Sequence, residues 1–178
     1  MYYDLHIHSA LSPCSDDLMT INNIFNMAYI KGLQLIAITD HNSLKQQYYL
    51  EKIIKHDILK GQIDYVHGVE LQSSEEIHLL AYFKKGSNLN VIQEWIDKHL
   101  IKVKNQSDYY GNQYIYNEFD EVIGIEVESI KQLNELKQLC KHLKDDYVFF
   151  NSDAHNLESI SEPINQIDRD IFYQLWRK

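Results

Sequence analysis

The chain has 178 residues, and 17 Lys and Arg against 26 Asp and Glu give it a formal charge of −9 with histidine neutral. Its 44% hydrophobic and 24% charged residues are typical of one globular domain, which we expect to span residues 1–178. The acidic balance disfavours a protein that grips duplex nucleic acid through its phosphates. No apolar run approaches the roughly 20 residues that span a bilayer, and the first residues are strand-like rather than a signal peptide. We therefore expect a cytoplasmic protein whose two cysteines, Cys14 and Cys140, stay reduced.

Strand and helix patterns alternate along the chain. Alternating or continuous apolar residues predict strands over 2–8, 33–39, 64–71, 77–83, 123–127 and 147–151. Apolar residues at helical spacing predict helices over 21–31, 43–60, 91–99, 129–143 and 168–176, whereas the Tyr/Asn-rich stretch 105–120 is a loop or hairpin. This alternation is typical of a parallel α/β sheet or barrel.

Histidine and carboxylate residues follow the predicted strands at their carboxyl ends, where an α/β fold places its site. His6 and His8 end the first strand, and because residues i and i+2 share a face, both imidazoles can reach a single ion. The other candidates fall at later strands: Asp40 with His41, Glu70, His78, and Asp153 with His155, which again share a face by the same rule.

Each of these residues has an ordinary interpretation when it is taken alone. A single histidine at a strand end is more often a hydrogen-bonded surface residue, and a single glutamate is usually solvated. Their coincidence at successive strand ends is hard to explain by packing. Imidazole nitrogens and carboxylate oxygens together are the ligands of Zn²⁺, Mn²⁺ or Fe²⁺, and an acidic cluster would repel itself without cations.

These segments resemble the motifs of a known family. They are Asp-Leu-His-Ile-His-Ser at 4–9, Ile-Thr-Asp-His-Asn-Ser at 38–43, Gly-Val-Glu at 68–70, His78 and Ser-Asp-Ala-His at 152–155. Over residues 3–155 the chain is similar to the PHP (polymerase and histidinol phosphatase) superfamily, and its opening looks most like the stand-alone bacterial phosphoesterases. The resemblance implies a distorted, incomplete (β/α)7 barrel of the TIM type.

The resemblance also implies a ligand set for two or three divalent ions: zinc, manganese or iron, with magnesium possible. His6, His8, Glu70 and Asp153 would hold the first ion. Asp16, or its neighbour Asp17, would hold the second ion with His41 and His155. Glu70 and His78 would hold a third ion, and Asp40 would orient a ligand without binding metal.

The chain departs from the family pattern between His78 and Asp153. Relatives usually supply one more histidine to the third ion there, together with an arginine suited to a phosphate. Here the interval is short and contains neither an Ala-His-Pro-like strand end nor an arginine. Its two histidines, His99 and His142, fall in predicted helices, and the only arginines of the chain are Arg169 and Arg177. At least one βα unit is therefore expected to be absent. Cys14 lies in the loop after the first strand, where we expect a packed or weakly exposed thiol.

The resemblance implies a metal-dependent phosphoric ester hydrolase that acts on a small phosphorylated metabolite or nucleotide through a metal-activated water. Duplex nucleic acid and membranes are not expected partners, and the pattern leaves the oligomeric state open. The alternative is a catalytically weakened relative that keeps its metal for a regulatory or structural role. Hydrolysis of a C–N or acyl bond on a similar barrel fits the motifs less well.

Overall fold

The computed structural model describes residues 1–54, 62–73, 78–84, 86–100, 125–127, 129–139, 148–170 and 172–173. Its strands are β1 (Tyr3–Ile7), β2 (Leu35–Ile38), β3 (Asp64–Gln72), β4 (His78–Phe83), β5 (Ile125–Glu126) and β6 (Val148–Phe149). Its helices are α1 (Ile21–Ile30), α2 (Lys45–Ile54), α3 (Leu89–His99) and α4 (Ile130–Leu139), with a 3₁₀ turn at Leu157–Ser159. The predicted loop 105–120 and Cys140 lie outside the described residues, as do residues 171 and 174–176 of the predicted terminal helix.

Four strands form one sheet in the order β1-β2-β3-β4, and β5 pairs with β6 in parallel. β1, β2 and β3 run parallel, as expected, whereas β4 runs antiparallel to β3. The reason is the connection: five residues separate Gln72 from His78, and a parallel crossover needs a dozen or more. A fully parallel sheet was therefore a wrong expectation.

The described part of the sheet does not close into a barrel. β1 is nevertheless contacted on its other side, because Ile7 forms a parallel bridge with Ala154, beyond the end of β6. The amide of His8 donates to the carbonyl of Ala154 at 2.9 Å, and the amide of Ala154 donates to the carbonyl of His6 at 3.2 Å. The architecture is mixed α/β with a four-stranded, mostly parallel sheet.

A bulge in β1 changes which face each side chain occupies. The register pairs Asp4 with Ile36 but Ile7 with Ile38, so β1 has one extra residue over this interval. Leu5 consequently packs with Leu35 and Ala37 on one face, while Ile7 packs with Ile36 and Ile38 on the other. Strict alternation would have kept Leu5 and Ile7 together.

Helix α1 covers the face of the sheet that contains Ile7. The Thr20 side chain accepts the amide of Asn23 and caps its amino end. The buried residues recur at helical spacing and belong to the same core cluster as Ile7: Ile21, Ile24, Phe25 and Ala28. None of the helices in the described ranges is long and apolar enough to cross a membrane.

Candidate metal centre

Four side chains converge at the carboxyl ends of β1 and β3, and we call them the first ligand group: His6, His8, Glu70 and Asp153. His6 Nε2 lies 3.1 Å from His8 Nε2 and 3.4 Å from Glu70 Oε2. His8 Nε2 lies 3.2 Å from Glu70 Oε2, and both nitrogens lie 3.1 Å from Asp153 Oδ1. Five distances among four potential ligand atoms therefore fall between 3.1 and 3.4 Å.

This spacing fits a metal ion. An ion with four tetrahedral bonds of about 2.0–2.2 Å holds its ligand atoms about 3.3–3.6 Å apart. Glu70 Oε2 is also buried, and three imidazole nitrogens, from His6, His8 and His41, lie within 3.4 Å of it. The donors and their spacing are together what a divalent cation requires.

Asp153 reaches this group from an unusual backbone conformation. Its φ is +48°, so the expectation that Asp153 and His155 share the face of a regular strand was wrong. β6 already ends at Phe149, and a turn brings both side chains to His8. Aspartate is among the few non-glycine residues that adopt this conformation readily.

Glu126 orients the ring of His6. Its Oε1 accepts from His6 Nδ1 at 2.8 Å, and its Oε2 accepts from the amide nitrogen of Asn151. In the neutral ring this bond places the imidazole proton on Nδ1, which leaves the lone pair of Nε2 facing the other members of the first ligand group. Carboxylates commonly hold metal-binding histidines in this way.

Two further groups share residues with the first. The second ligand group consists of His8, Cys14, His41 and His155, and the third consists of His41, Glu70 and His78. The imidazole of His8 stacks on that of His155, with ring centroids 4.4 Å apart and planes 19° apart. His78 Nδ1 donates to Glu70 Oε1, while His41 Nδ1 lies 3.0 Å from Glu70 Oε2. Glu70 therefore belongs to both the first and the third group.

The structure does not bring Asp16 or Asp17 into any of the three groups found among the described residues. Both residues are exposed. The Asp16 carboxylate accepts the amide of Leu18 at 2.8 Å, which turns it into the loop's own backbone. Cys14, and not Asp16 or Asp17, is grouped with His41 and His155.

Asp40 lies beside the groups and fixes the loop that follows β1. It is completely buried, and it accepts the backbone amide and the hydroxyl of Ser9, both at 2.6 Å. Burial raises the pKa of Asp40 to about 6, against the lowering effect of these hydrogen bonds. These contacts hold Ser9 in the loop, and the orientation of a metal ligand by Asp40 stays a prediction.

Asp4 connects β1 to the segment that contains Asp153 and His155. It is fully buried, and it accepts the hydroxyl of Ser152 at 2.6 Å, the amide of Ser152 at 3.2 Å and the amide of Ser161 at 2.9 Å. Burial raises the pKa of Asp4, although each of these bonds opposes the rise. The carboxylate holds the far end of the chain against the first strand.

Neighbouring charges shift the pKa values of the clustered side chains. Burial alone would lower the pKa of His6, but hydrogen bonds to Glu126 and Glu70 raise it well above its ordinary value. Burial would likewise raise the pKa of Glu70, but hydrogen bonds from His6, His78 and His8 hold it far below its usual range. Burial lowers the pKa of His41 to about 4, so this imidazole is neutral at pH 7 and one of its nitrogens has a lone pair available.

Sequence reasoning missed Glu126 and Asp4. It expected Cys14 to be a packed or weakly exposed thiol, and the side chain is half-buried. A charged residue inside a predicted strand was the available signal for the first two, since such positions are rarely charged without a partner. Arg169 lies 3.7 Å from Asp64 at the amino end of β3. Six residues of strand, about 20 Å, separate that end from Glu70.

The comparisons with known proteins begin with the family. The PHP domain model matches residues 4–169, whereas no curated protein matches the chain. Among solved structures, the lesion-specific endonuclease PfuEndoQ from Pyrococcus furiosus is 27% identical, with a TM-score of 0.40, over 54% of this chain and 24% of that chain. The chain thus spans about a quarter of the length of that endonuclease.

Two other structures share less sequence. An amidohydrolase from Chromobacterium violaceum is 21% identical, with a TM-score of 0.43, and the match covers 55% of this chain and 33% of that one. PsfC from Pseudomonas syringae is 12% identical, with a TM-score of 0.53, and the match covers 93% of this chain and 83% of that one. The likeness to PsfC is one of fold alone.

Proposed function

The chain belongs to the PHP domain family, and from that premise we propose that it is a metal-dependent phosphoesterase acting on a small phosphorylated metabolite or nucleotide. The observation that carries the proposal is the spacing in the first ligand group, where five interatomic distances of 3.1–3.4 Å come within about 0.2 Å of the edges of a metal coordination tetrahedron. Family membership supports a metal-dependent hydrolase, and phosphate ester specificity is our own extension.

We assign residues to two or three divalent ions of zinc, manganese or iron. His6, His8, Glu70 and Asp153 hold the first ion, and His41 and His155 belong to the second. His78 and Glu70 would serve a third. Bound ions of this kind lower the pKa of a water molecule and neutralise charge on phosphoryl oxygens. Glu126 and Asp40 keep the side chains and the loop around them in place.

The substrate is proposed to be small for reasons of charge. The formal charge of −9 is offset only by the bound cations, so attraction is confined to the cleft. Arg169 pairs with Asp64 at the opposite end of β3, and it therefore cannot clamp a phosphate beside Glu70. A single phosphate group held by the ions themselves is the substrate feature that this arrangement suits.

We further propose that the sheet belongs to an incomplete, distorted (β/α)7 barrel within one domain spanning residues 1–178, in a cytoplasmic protein. The parallel bridge between Ile7 and Ala154 supports this, because it extends the sheet past β1 towards β6. Closure of a barrel requires such pairing at both edges.

The test combines metal content with turnover on the full chain. Purified protein is stripped with a chelator, reloaded with Zn²⁺, Mn²⁺, Fe²⁺ or Mg²⁺, and assayed on p-nitrophenyl phosphate, its bis-ester and small nucleotides. We expect at least two ions per chain and metal-dependent hydrolysis. Amide and lactone substrates, with intact and lesion-containing duplex DNA, are assayed in parallel, and activity confined to them would refute the proposed substrate class.

Asp153→Asn is the most informative variant. Asparagine tolerates the positive φ of this position as aspartate does, so the change removes charge without straining the backbone. We expect hydrolysis to fall by about 100-fold or more, because several kcal/mol of charge stabilisation depend on the ion. His99→Gln, at an exposed histidine on α3, is the matched control. Bound metal without turnover on any substrate would favour the catalytically weakened alternative.

A further inference from the structure

The second ligand group contains a thiol where an aspartate was expected. The ligand atoms of His8, Cys14, His41 and His155 all lie within 4.8 Å of one another. His8 Nε2 already belongs to the first ligand group, which leaves Cys14, His41 and His155 for a second ion. Three protein ligands are the number that a catalytic zinc site retains.

Each of the two histidines presents one ring nitrogen that lacks a hydrogen bond. The side chain of His41 is 5% exposed, its Nδ1 lies 3.0 Å from Glu70 Oε2, and its Nε2 is buried without a hydrogen bond. The Nε2 of His155 is also buried and unpaired, whereas its Nδ1 donates to the carbonyl of Asp153 at 2.7 Å. That bond places the proton on Nδ1 and the lone pair on Nε2, as in a metal-binding histidine. An unsatisfied buried polar atom is costly, and coordination would satisfy it.

The loop holds Cys14 in this position from both sides. On one side, Ser12 Oγ lies 3.2 Å from Cys14 Sγ and 3.4 Å from His8 Nδ1. On the other, the Ser15 hydroxyl is 3.1 Å from the carbonyl of His155, and the amide of Asp16 donates to the same carbonyl at 2.9 Å. The residues that flank the thiol are therefore tied to the segments that contain two of the histidines.

We propose that Cys14, and not Asp16, is the third protein ligand of the second ion, together with His41 and His155. This inference rests on the metal centre of the proposed function and adds its selectivity. Binding exchanges the thiol proton, released to water, for a sulfur–metal bond. A thiolate with two imidazoles favours Zn²⁺, Fe²⁺ or Co²⁺ over Mg²⁺, which prefers oxygen ligands.

Cobalt titration of the chelated full-length chain tests the assignment independently of activity. Thiolate-to-cobalt charge transfer absorbs in the near ultraviolet, and we expect this band in the wild type. Cys14→Ser should abolish the band and bind one fewer cobalt ion per chain, while Cys140→Ser should leave both unchanged. Asp16→Asn keeps an oxygen for the amide of Leu18, and it should retain the band.

Alkylation supplies a second readout that does not depend on how well the variants fold. In the wild type, mass spectrometry compares iodoacetamide modification of Cys14 and Cys140 with and without Zn²⁺. We expect zinc to slow modification of Cys14 by at least about tenfold and a chelator to reverse this, because a coordinated thiolate is not free to react.

The outcomes separate this inference from the proposed function. An unchanged band and cobalt count in Cys14→Ser, with equal alkylation of Cys14 with and without zinc, would overturn the role of Cys14. Loss of one cobalt ion in Asp16→Asn but not in Cys14→Ser would return that role to Asp16. A cysteine-dependent band in a protein that hydrolyses no phosphoester would support the ligand while refuting the enzyme.

Discussion

Replacing Glu126 by glutamine tests how the orientation of the His6 ring affects metal binding, because His6 itself is kept. Glu126 accepts from two donors, His6 Nδ1 at 2.8 Å and the amide nitrogen of Asn151. Glutamine has one carbonyl oxygen and one NH₂ group, so it can satisfy only one of these donors and must present its own donor to the other. The variant keeps the size of the side chain, but either His6 or Asn151 loses its acceptor, and the negative charge beside the His6 ring is removed in both cases.

The magnitude follows from the role of such a carboxylate. Loss of an outer partner of a metal-binding histidine weakens metal affinity by about 10–100-fold, which corresponds to about 1.4–2.8 kcal/mol. The assay is a competition titration of the chelated protein with Zn²⁺ against a chromophoric chelator. Glu158→Gln, on an exposed residue of the 3₁₀ turn, is the control and should bind as the wild type does. Zinc affinity of Glu126→Gln within twofold of the wild type would refute the argument that Glu126 holds His6 for the ion.

Three further predictions concern stability. Asp4→Asn should lower the free energy of unfolding by about 2–3 kcal/mol, since an amide cannot accept both bonds from Ser152. Urea unfolding measures this change, and a loss below about 0.5 kcal/mol would contradict the prediction. Gly68→Ala places a Cβ 2.8 Å from Thr39 Cγ2 and should lower the free energy of unfolding by about 1–3 kcal/mol in the same assay. Because Thr39→Ser removes that methyl group, the double variant should recover part of the lost stability, and no recovery would count against this contact. Burial raises the pKa of Tyr82 well above 10.0, so the folded chain keeps a proton that the unfolded chain loses, and stability should fall above pH 10 by up to about 1.4 kcal/mol per pH unit. Tyr82→Phe should flatten that fall, and an identical pH profile would exclude the assignment.

The strands and the residues at their ends were predictable because they depend on local patterns. Apolar alternation located β1, and the i, i+2 rule placed His6 and His8 together. The structure then brings their Nε2 atoms to 3.1 Å. Chain order alone also indicated that Glu70 would meet them, since the carboxyl ends of parallel strands share one edge of a sheet.

What the sequence did not predict depends on loops and on distant partners. Whether Cys14 or Asp16 turns inwards is decided by hydrogen bonds of the loop to His155, which no local pattern encodes. The contact of Glu126 with His6 joins residues 120 positions apart. Asp153 reaches the group through a positive φ, which a rule for regular strands could not predict.

The parallel bridge between Ile7 and Ala154 has a consequence for the order of folding. Asp153 lies about 150 positions after His6, and bringing such distant segments together costs on the order of 4 kcal/mol in loop-closure entropy. A ribosome that has released only β1 to β4 has made His6, His8 and Glu70 but not Asp153. The complete set of first-ion ligands therefore exists only once the last third of the chain has been synthesised and docked. An ion bound to the complete set of ligands would link β1 to the carboxyl-terminal segment and would stabilise the docked state by mass action. Chelation should then release the carboxyl-terminal segment from β1 before it disturbs β2 and β3.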